Sequence, residues 1–425
     1  MSQLPTEQAL EEQFFPTNAA LLRRWCPWLR LFRGFRMAID YRRMLLALPA
    51  ILLWSAGDMF LLQNFGGDTD PFALQSALGR SMIEWPGASQ ALNFDGLKTS
   101  RELLSHPATV IYYALSVSGE MLIPLRKMVS SAWGLIFPVA SGAHWLYFAL
   151  TTCWGLLICN LFGGAICRMA AVDFAAQQEM SALAALRFSA RRLISYFGAP
   201  LIALIGLGVC WIPNLLAGLI SWIPGIGMVL LSVFWFLPLI SGGLMALIVA
   251  GVSAGWPLMI AAISAECSDA FDGLSRSYSY LFNQLWYAFG LVLLATVYGG
   301  LALFLVQLLL GLALQLTEIS VGVSVTGLSD TNLPGVRVPM DMPEVAHSTF
   351  ALWTYVVRAV PAGFVFSFFW TMTTLIYFLL RLRDDATPLS ELAGVTPPAS
   401  GLPIVGMPAA TLREQELALH PKNEF

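Results

Sequence analysis

From Tyr196 to Ala265 the chain is almost unbroken apolar text, interrupted chiefly by the cluster Trp222-Ile223-Pro224-Gly225-Ile226-Gly227. A run of that length is too long for one span, and a Pro-Gly turn flanked by tryptophans divides it into two antiparallel membrane helices joined by a tight outer hairpin. Composition agrees. The 425 residues are 57% hydrophobic and only 12% charged, with a mean hydropathy of +0.70, whereas soluble domains are about a quarter charged. Lipid is the expected solvent. The expected fold class is all-α, a polytopic helical membrane protein with about six transmembrane helices and interfacial amphipathic helices.

Taken in order, residues 1–43 are expected to stay in the cytoplasm. Met1 to Thr17 is polar and acidic and expected to be disordered, and Leu21 to Arg43 interleaves Trp25, Trp28, Phe32 and Phe35 with Arg23, Arg24, Arg30, Arg33 and Arg36. Rings mixed with guanidinium groups suit either a helix lying in the headgroup layer or the basic flank of the following span. Spans are expected at about 44–65, 144–167, 196–220, 228–262, 286–314 and 350–380, each close to or above the ~20 apolar residues that a bilayer requires. The first holds Pro49, a candidate bend, and Asp58, whose place in the outer half suits solvation at the far interface better than a functional role.

Two shorter apolar runs, Thr109 to Leu125 with Glu120 inside it and Met128 to Gly142, flank Arg126-Lys127. They are expected as interfacial or re-entrant helices on the outer side, with an extra pair of spans as the alternative. The loop from Glu318 to His347 is assigned outside, and residues 381–425 form a cytoplasmic tail expected to be disordered. No small-residue cleavage site follows the first span, which is therefore expected to act as an uncleaved anchor. This topology places sixteen of the 23 basic residues inside. That asymmetry is expected of a multi-pass protein of the bacterial cytoplasmic membrane with both termini cytoplasmic.

The stretch from Trp256 to Gly290 leaves one span, passes through an acidic, Ser- and Arg-bearing piece and enters the next, as a cytoplasmic elbow would. Asp269 is placed to cap a helix beginning at Ala270, and Asp272 stands in its first turn. Arg276, four residues on, pairs with Asp272 for roughly 0.3–0.5 kcal/mol. Glu266, Asp269, Asp272 and Arg276 are candidate headgroup or partner contacts, together with Arg30, Arg33, Arg36, Arg187, Arg191 and Arg192. A plain acidic helix start accounts for the carboxylates equally well.

Sliding the chain by 88 residues lays Leu183 to Phe197 on Phe271 to Leu285, Ser189 on Ser277 and Gly163 on Gly251. The matched apolar positions trace one helical face. A parallel internal repeat of span, amphipathic helix and span is expected from this. Gly242, Ala246, Ala250 and Ala254 recur every fourth residue in the fourth span, and are the candidate helix-packing seam, since small residues let backbones approach in lipid.

The elbow text A-E-C-S-D-A-F-D-G-L-S-R-S-Y-S-Y-L-F-N-Q-L-W, from Ala265 to Trp286, resembles a pattern in a loose group of bacterial multi-pass proteins. That group includes the membrane domain fused to some glycerophosphodiester phosphodiesterases. From Gly163 to Gly290 the chain resembles uncharacterised planctomycete-type membrane proteins with similar G-W-P-L-M and S-A-E elbows. The resemblance covers at most a third of the chain and holds no catalytic motif. It implies a helical membrane fold and no particular activity.

Residue chemistry narrows function by class. The four histidines are isolated, and neither H-E-x-x-H nor a phosphate-cradling G-x-x-x-x-G-K-[ST] occurs. The six cysteines form no C-x-x-C pair, so buried apolar roles are expected of them, with no metal and no cofactor. A net charge of −3 with clustered basic residues gives no nucleic-acid footprint. The expectation is a non-catalytic scaffold, assembly or lipid-organising protein. Its expected partners are membrane lipids, with a protein partner or homo-oligomer also open. A transporter or channel is the alternative, and a membrane-embedded enzyme is the second.

Overall fold

The computed structural model describes residues 27–65, 105, 107–136, 142–326, 344–385 and 387, and every element among them is helical. The acidic amino-terminal segment, Trp25, residues 66–104, most of the Glu318 to His347 loop and the tail lie outside the described residues. A 3-10 turn, Pro27–Phe32, leads into α1 (Arg33–Ala38) and α2 (Tyr41–Phe65). Next, α3 (Pro107–Val117) and α4 (Ile123–Ile136) are joined by a second 3-10 turn, Ser118–Leu122. The following span is built from α5 (Gly142–Ile158) and α6 (Gly164–Ala171), with π-helical turns at Cys159–Gly163 and Val172–Ala176. Then come α7 (Ala182–Arg191), α8 (Leu193–Ile220), α9 (Gly227–Val233), α10 (Phe236–Glu266), α11 (Ala270–Asn283), α12 (Leu285–Thr326) and α13 (Glu344–Asp384).

Six stretches are long and apolar enough to cross a membrane: Tyr41–Phe65, Trp145–Ala176, Leu193–Ile220, Phe236–Glu266, Leu285–Thr317 and Ala359–Asp384. Lipid offers no hydrogen bonds, so a spanning backbone must satisfy its own, and the helix does so. Pro49 lies within α2 without ending it. The fourth span starts at Phe236, because α9 forms a separate short helix after the hairpin turn. In that turn Gly225 takes φ +84, a backbone region closed to most side chains.

The sixth span is the centre of the bundle. Its apolar window is wholly buried, against 11% for α10 and 22% for α8. Trp370 on α13 stands edge-on to Trp256 of α10 with ring centroids 5.6 Å apart, and its indole fills the notch at Gly163, where a β-carbon would overlap it. Along another face of α13, Ala359, Gly363, Ser367 and Thr371 recur every fourth residue and are all buried. Leu48 and Met44 of α2 pack at Gly363, and the Ser367 hydroxyl donates to the Ala38 carbonyl at 2.8 Å.

The expected seam on the fourth span is therefore corrected. Gly242, Ala246, Ala250 and Ala254 are all exposed, and a β-carbon at Gly242 would meet nothing. The opposite side of α10 does the pairing: the Ser241 hydroxyl donates to the Cys210 carbonyl, and Ile248 lies over Gly206 of α8. Polar ties and close fit replace a small-residue stripe here, as lipid and core are equally apolar and burial alone favours neither face.

Two further expectations are narrowed. The basic and aromatic α1 does not lie apart in a headgroup layer: Met37 and Ala38 are buried, Gly34 receives Met372, and Phe35 packs edge-on against Phe364. The turn Ser118–Leu122 is wedged against Gly299 and Gly300, near the middle of the fifth span, and Met121 also lies against Gly299 beside Phe368. The segment thus penetrates among the spans, which fits the re-entrant form of the expectation and not the interfacial one.

A substitution pair tests this arrangement. Gly163→Val should lower stability by about 1–3 kcal/mol through overpacking against Trp370. Gly242→Val should stay within about 0.5 kcal/mol. Thermal unfolding in one mild detergent reads both.

Candidate functional site at the elbow end of the bundle

Two elbows share one end of the bundle, and their backbones are built alike. The span before each closes on a left-handed residue that is not glycine, Gln177 (φ 53) before α7 and Cys267 (φ 55) before α11. Each short helix then starts on a side-chain cap: Ser181 accepts from the Ala184 amide, and Asp269 accepts from the Asp272 amide at 2.9 Å. Such caps satisfy amides that a helix start leaves unpaired. Ser189 and Ser277 are fully buried. The Ser189 hydroxyl donates to the Asn160 carbonyl at 2.7 Å, and Arg192 joins the elbows by donating to the Ser268 carbonyl at 3.2 Å.

Glu266, the last residue of α10, gathers the strongest electrostatics. Its carboxylate accepts the Tyr377 hydroxyl, pairs with the Arg276 guanidinium and takes Arg381 Nε at 3.3 Å, so α10, α11 and α13 meet on one group. Arg276 also reaches Asp272 at 3.4 Å. Tyr280 donates to Asp385, and Gln284 to Asp384 at 3.2 Å. Burial and the Asp385 carboxylate hold the Tyr280 phenol well above its usual range, so it remains a proton donor. On the other side of α10, buried Arg168 donates to the Ser264 and Ala265 carbonyls at 3.0 and 3.3 Å. A cation there answers the partial negative charge of the helix end.

Above α11 lies an apolar cavity of about 240 Å³. Its walls are Ala254, Pro257 and Leu258 of α10, Ala288, Val292 and Thr296 of α12, and Phe368, Met372 and Thr373 of α13. Leu281 of α11 and Leu285 close one part of it, and Met121, Leu122 and Leu125 another. Helices α10 and α12 make at most glancing contact with each other. Ala254, Phe289 and Val292 are exposed, so the cavity opens sideways between those two helices.

A second, polar pocket of about 440 Å³ lies where α1 and the start of α2 meet the end of the second span. Arg43, 1% exposed, is spent within the protein: it donates to the Met37 carbonyl, to the Met169 carbonyl at 3.3 Å and to Asp173 at 2.7 Å. Arg42 pairs with Glu179 at 2.7 Å.

Among the described residues, a charged pair joins the first span to α4. Asp58 of α2 is ion-paired with Lys127 of α4, with side chains 15% and 4% exposed, and the ammonium stands 4.7 Å from the Trp54 ring centre. This pairing corrects the expectation that Asp58 is solvated at an interface. A charge at that depth is tolerated where an opposite charge meets it.

Of the residues singled out in the sequence, Glu266, Asp272 and Arg276 come together, with Asp269 as the cap beside them. Arg192 ties the elbows. Arg187 and Arg191 are exposed on α7 and enter neither cluster, Arg30 is half-buried in the first 3-10 turn, and Arg33 and Arg36 line the polar pocket. Sequence reading missed Arg168, Tyr377 and Arg381, although an arginine closing an apolar span is itself a signal. Among the described residues no group of His, Cys, Asp or Glu is placed to hold a metal ion. Comparison with known proteins finds no matching family model, curated protein or solved structure.

Two outcomes are expected. Glu266→Gln leaves Arg276 and Arg381 short of a charge partner and should cost about 3 kcal/mol, while Asp269→Ala should cost ~1 kcal/mol as a lost cap. Asp58→Asn and Lys127→Met should each destabilise strongly, and the double variant should recover most of the loss. A double-mutant cycle of unfolding in detergent measures that coupling.

Proposed function

We propose that this chain is a non-catalytic, lipid-organising protein of the bacterial cytoplasmic membrane, with termini and elbows on the cytoplasmic side. The observation carrying the reading is the apolar cavity between α10, α12 and α13, which opens sideways at the level of the spans. Of the side chains named in its walls, only Thr296 and Thr373 carry a polar atom. An acyl chain is the ligand such a lining suits, and α11, fixed through Glu266, holds the end of the cavity beside the headgroups. The cytoplasmic assignment of the elbow end rests on the basic residues gathered there, among them Arg43, Arg168, Arg192, Arg276 and Arg381.

The likeness of the two elbows supports an internal duplication. Capped serine and aspartate starts, 88 residues apart, each follow a span closed by a left-handed residue. The buried Asp58 and Lys127 favour a second reading, transport of a small solute, because intramembrane charges commonly mark translocation paths. The pair is neutral as a unit and internally matched, which favours the structural role.

Purification in a mild detergent followed by native mass spectrometry tests the proposal. The protein should retain diacyl lipid, and Ala288→Phe, or Val292→Phe at the more exposed rim, should reduce that retention severalfold with folding intact. Unchanged lipid retention in both cavity variants would overturn it. Solute flux in liposomes that is lost in the Asp58→Asn, Lys127→Met double variant would favour transport.

A further inference from the structure

We infer that the polar pocket between α1, the start of α2 and the end of the second span binds the phosphate of a phospholipid headgroup, through Arg33 and Arg36. This site is separate from the acyl-chain cavity and goes beyond that reading, since different helices build it. Four arginines and three carboxylates line the pocket: Arg33, Arg36, Arg42 and Arg43 against Asp40, Asp173 and Glu179. Two of the arginines are matched, Arg43 by Asp173 and Arg42 by Glu179. Asp40 accepts the Arg42 backbone amide at 3.2 Å.

Arg33 and Arg36 are exposed, the Arg33 guanidinium lies over the Phe174 ring at 5.9 Å, and neither arginine makes an ion pair with any described residue. They stand three apart on α1, so their side chains leave one helical face together. Two guanidinium forks presented side by side suit a tetrahedral oxyanion better than a point charge would. The lining carries one positive charge in excess, and a phosphodiester carries one negative charge.

A lipid source is favoured by what surrounds the pocket. Beside it on α2 the exposed residues are Tyr41, Leu45, Leu52 and Leu53, and Phe32 and Ile39 are exposed next to it. A phosphate held at Arg33 and Arg36 would leave its acyl chains against that apolar face, as free phosphate would not. The buried anchoring of Arg43, and the Ser367 bond to the Ala38 carbonyl, hold α1 in place before any ligand arrives.

The test uses the full chain carrying Ala288→Phe, which fills the acyl-chain cavity, in mild detergent, titrated with phosphatidylglycerol, phosphatidylethanolamine and diacylglycerol of matched chains, and separately with inorganic phosphate. Native mass spectrometry reads occupancy. Both phospholipids should bind and diacylglycerol should bind at least about tenfold more weakly. In that background Arg33→Gln with Arg36→Gln should lose about tenfold in phospholipid affinity with an unchanged melting temperature. If the double variant melts early, Met180→Glu, which adds a carboxylate to the pocket wall, should produce the same loss. Wild-type affinity in the arginine variant, or diacylglycerol bound as tightly as phospholipid, would overturn the site. Inorganic phosphate displacing the lipid at comparable concentration would overturn the lipid assignment and leave a free-phosphate site.

Discussion

The enclosure of α13 is the constraint on which the rest of the molecule depends. In water a helix is driven inward because its apolar face leaves the solvent, but in a bilayer the lipid tails are as apolar as any core. The sixth span is central because it fits: Trp370 enters the notch at Gly163, and the face from Ala359 to Thr371 admits α1 and α2. Dispersion is small per atom pair and large when summed over such interlocked rings. Helices α8 and α10, which pack closely with each other, show most of their remaining surface outward.

Polar groups then fix the elbow end of the bundle. Glu266 binds α10, α11 and α13 together, and Arg168 closes the α10 terminus from the second span. These ties set where α11 lies, and α11 contributes Leu281 to the cavity lining. The proposed lipid-organising role therefore rests on an apolar opening whose position is set by charge. The amino-terminal pocket follows the same logic, with Arg43 and Asp173 as anchor and Arg33 and Arg36 left facing outward.

Much of this architecture was legible in the sequence, and the failures have one physical origin. The six spans followed from run length, and the hairpin at Trp222 to Gly227 followed from turn chemistry. Asp269 as cap and Asp272 with Arg276 as a pair followed from helical spacing, and both are present. The packing order was not legible, because hydropathy does not separate a lipid-facing leucine from a buried one. The stripe at Gly242 drew attention by its glycine and alanine content. The working stripe at Ala359, Gly363, Ser367 and Thr371 contains hydroxyls, which are small enough for close packing but read as polar. Asp58 could not be matched with Lys127, since nothing local links two residues so distant in the chain. The elbow network was only half visible, because Tyr377 and Arg381 arrive from the last span.

The most direct measurement is a footprint made with a lipid-soluble photoactivated label in native membranes, read residue by residue by mass spectrometry. An enclosed α13 predicts no label on Phe364, Phe366, Trp370, Tyr377 and Phe378, which lie outside the cavity wall, with modification on Leu204, Ile205 and Val209 of α8 and on Leu237, Leu239 and Leu244 of α10. Label on those five α13 residues at the density seen on α10 would contradict the account.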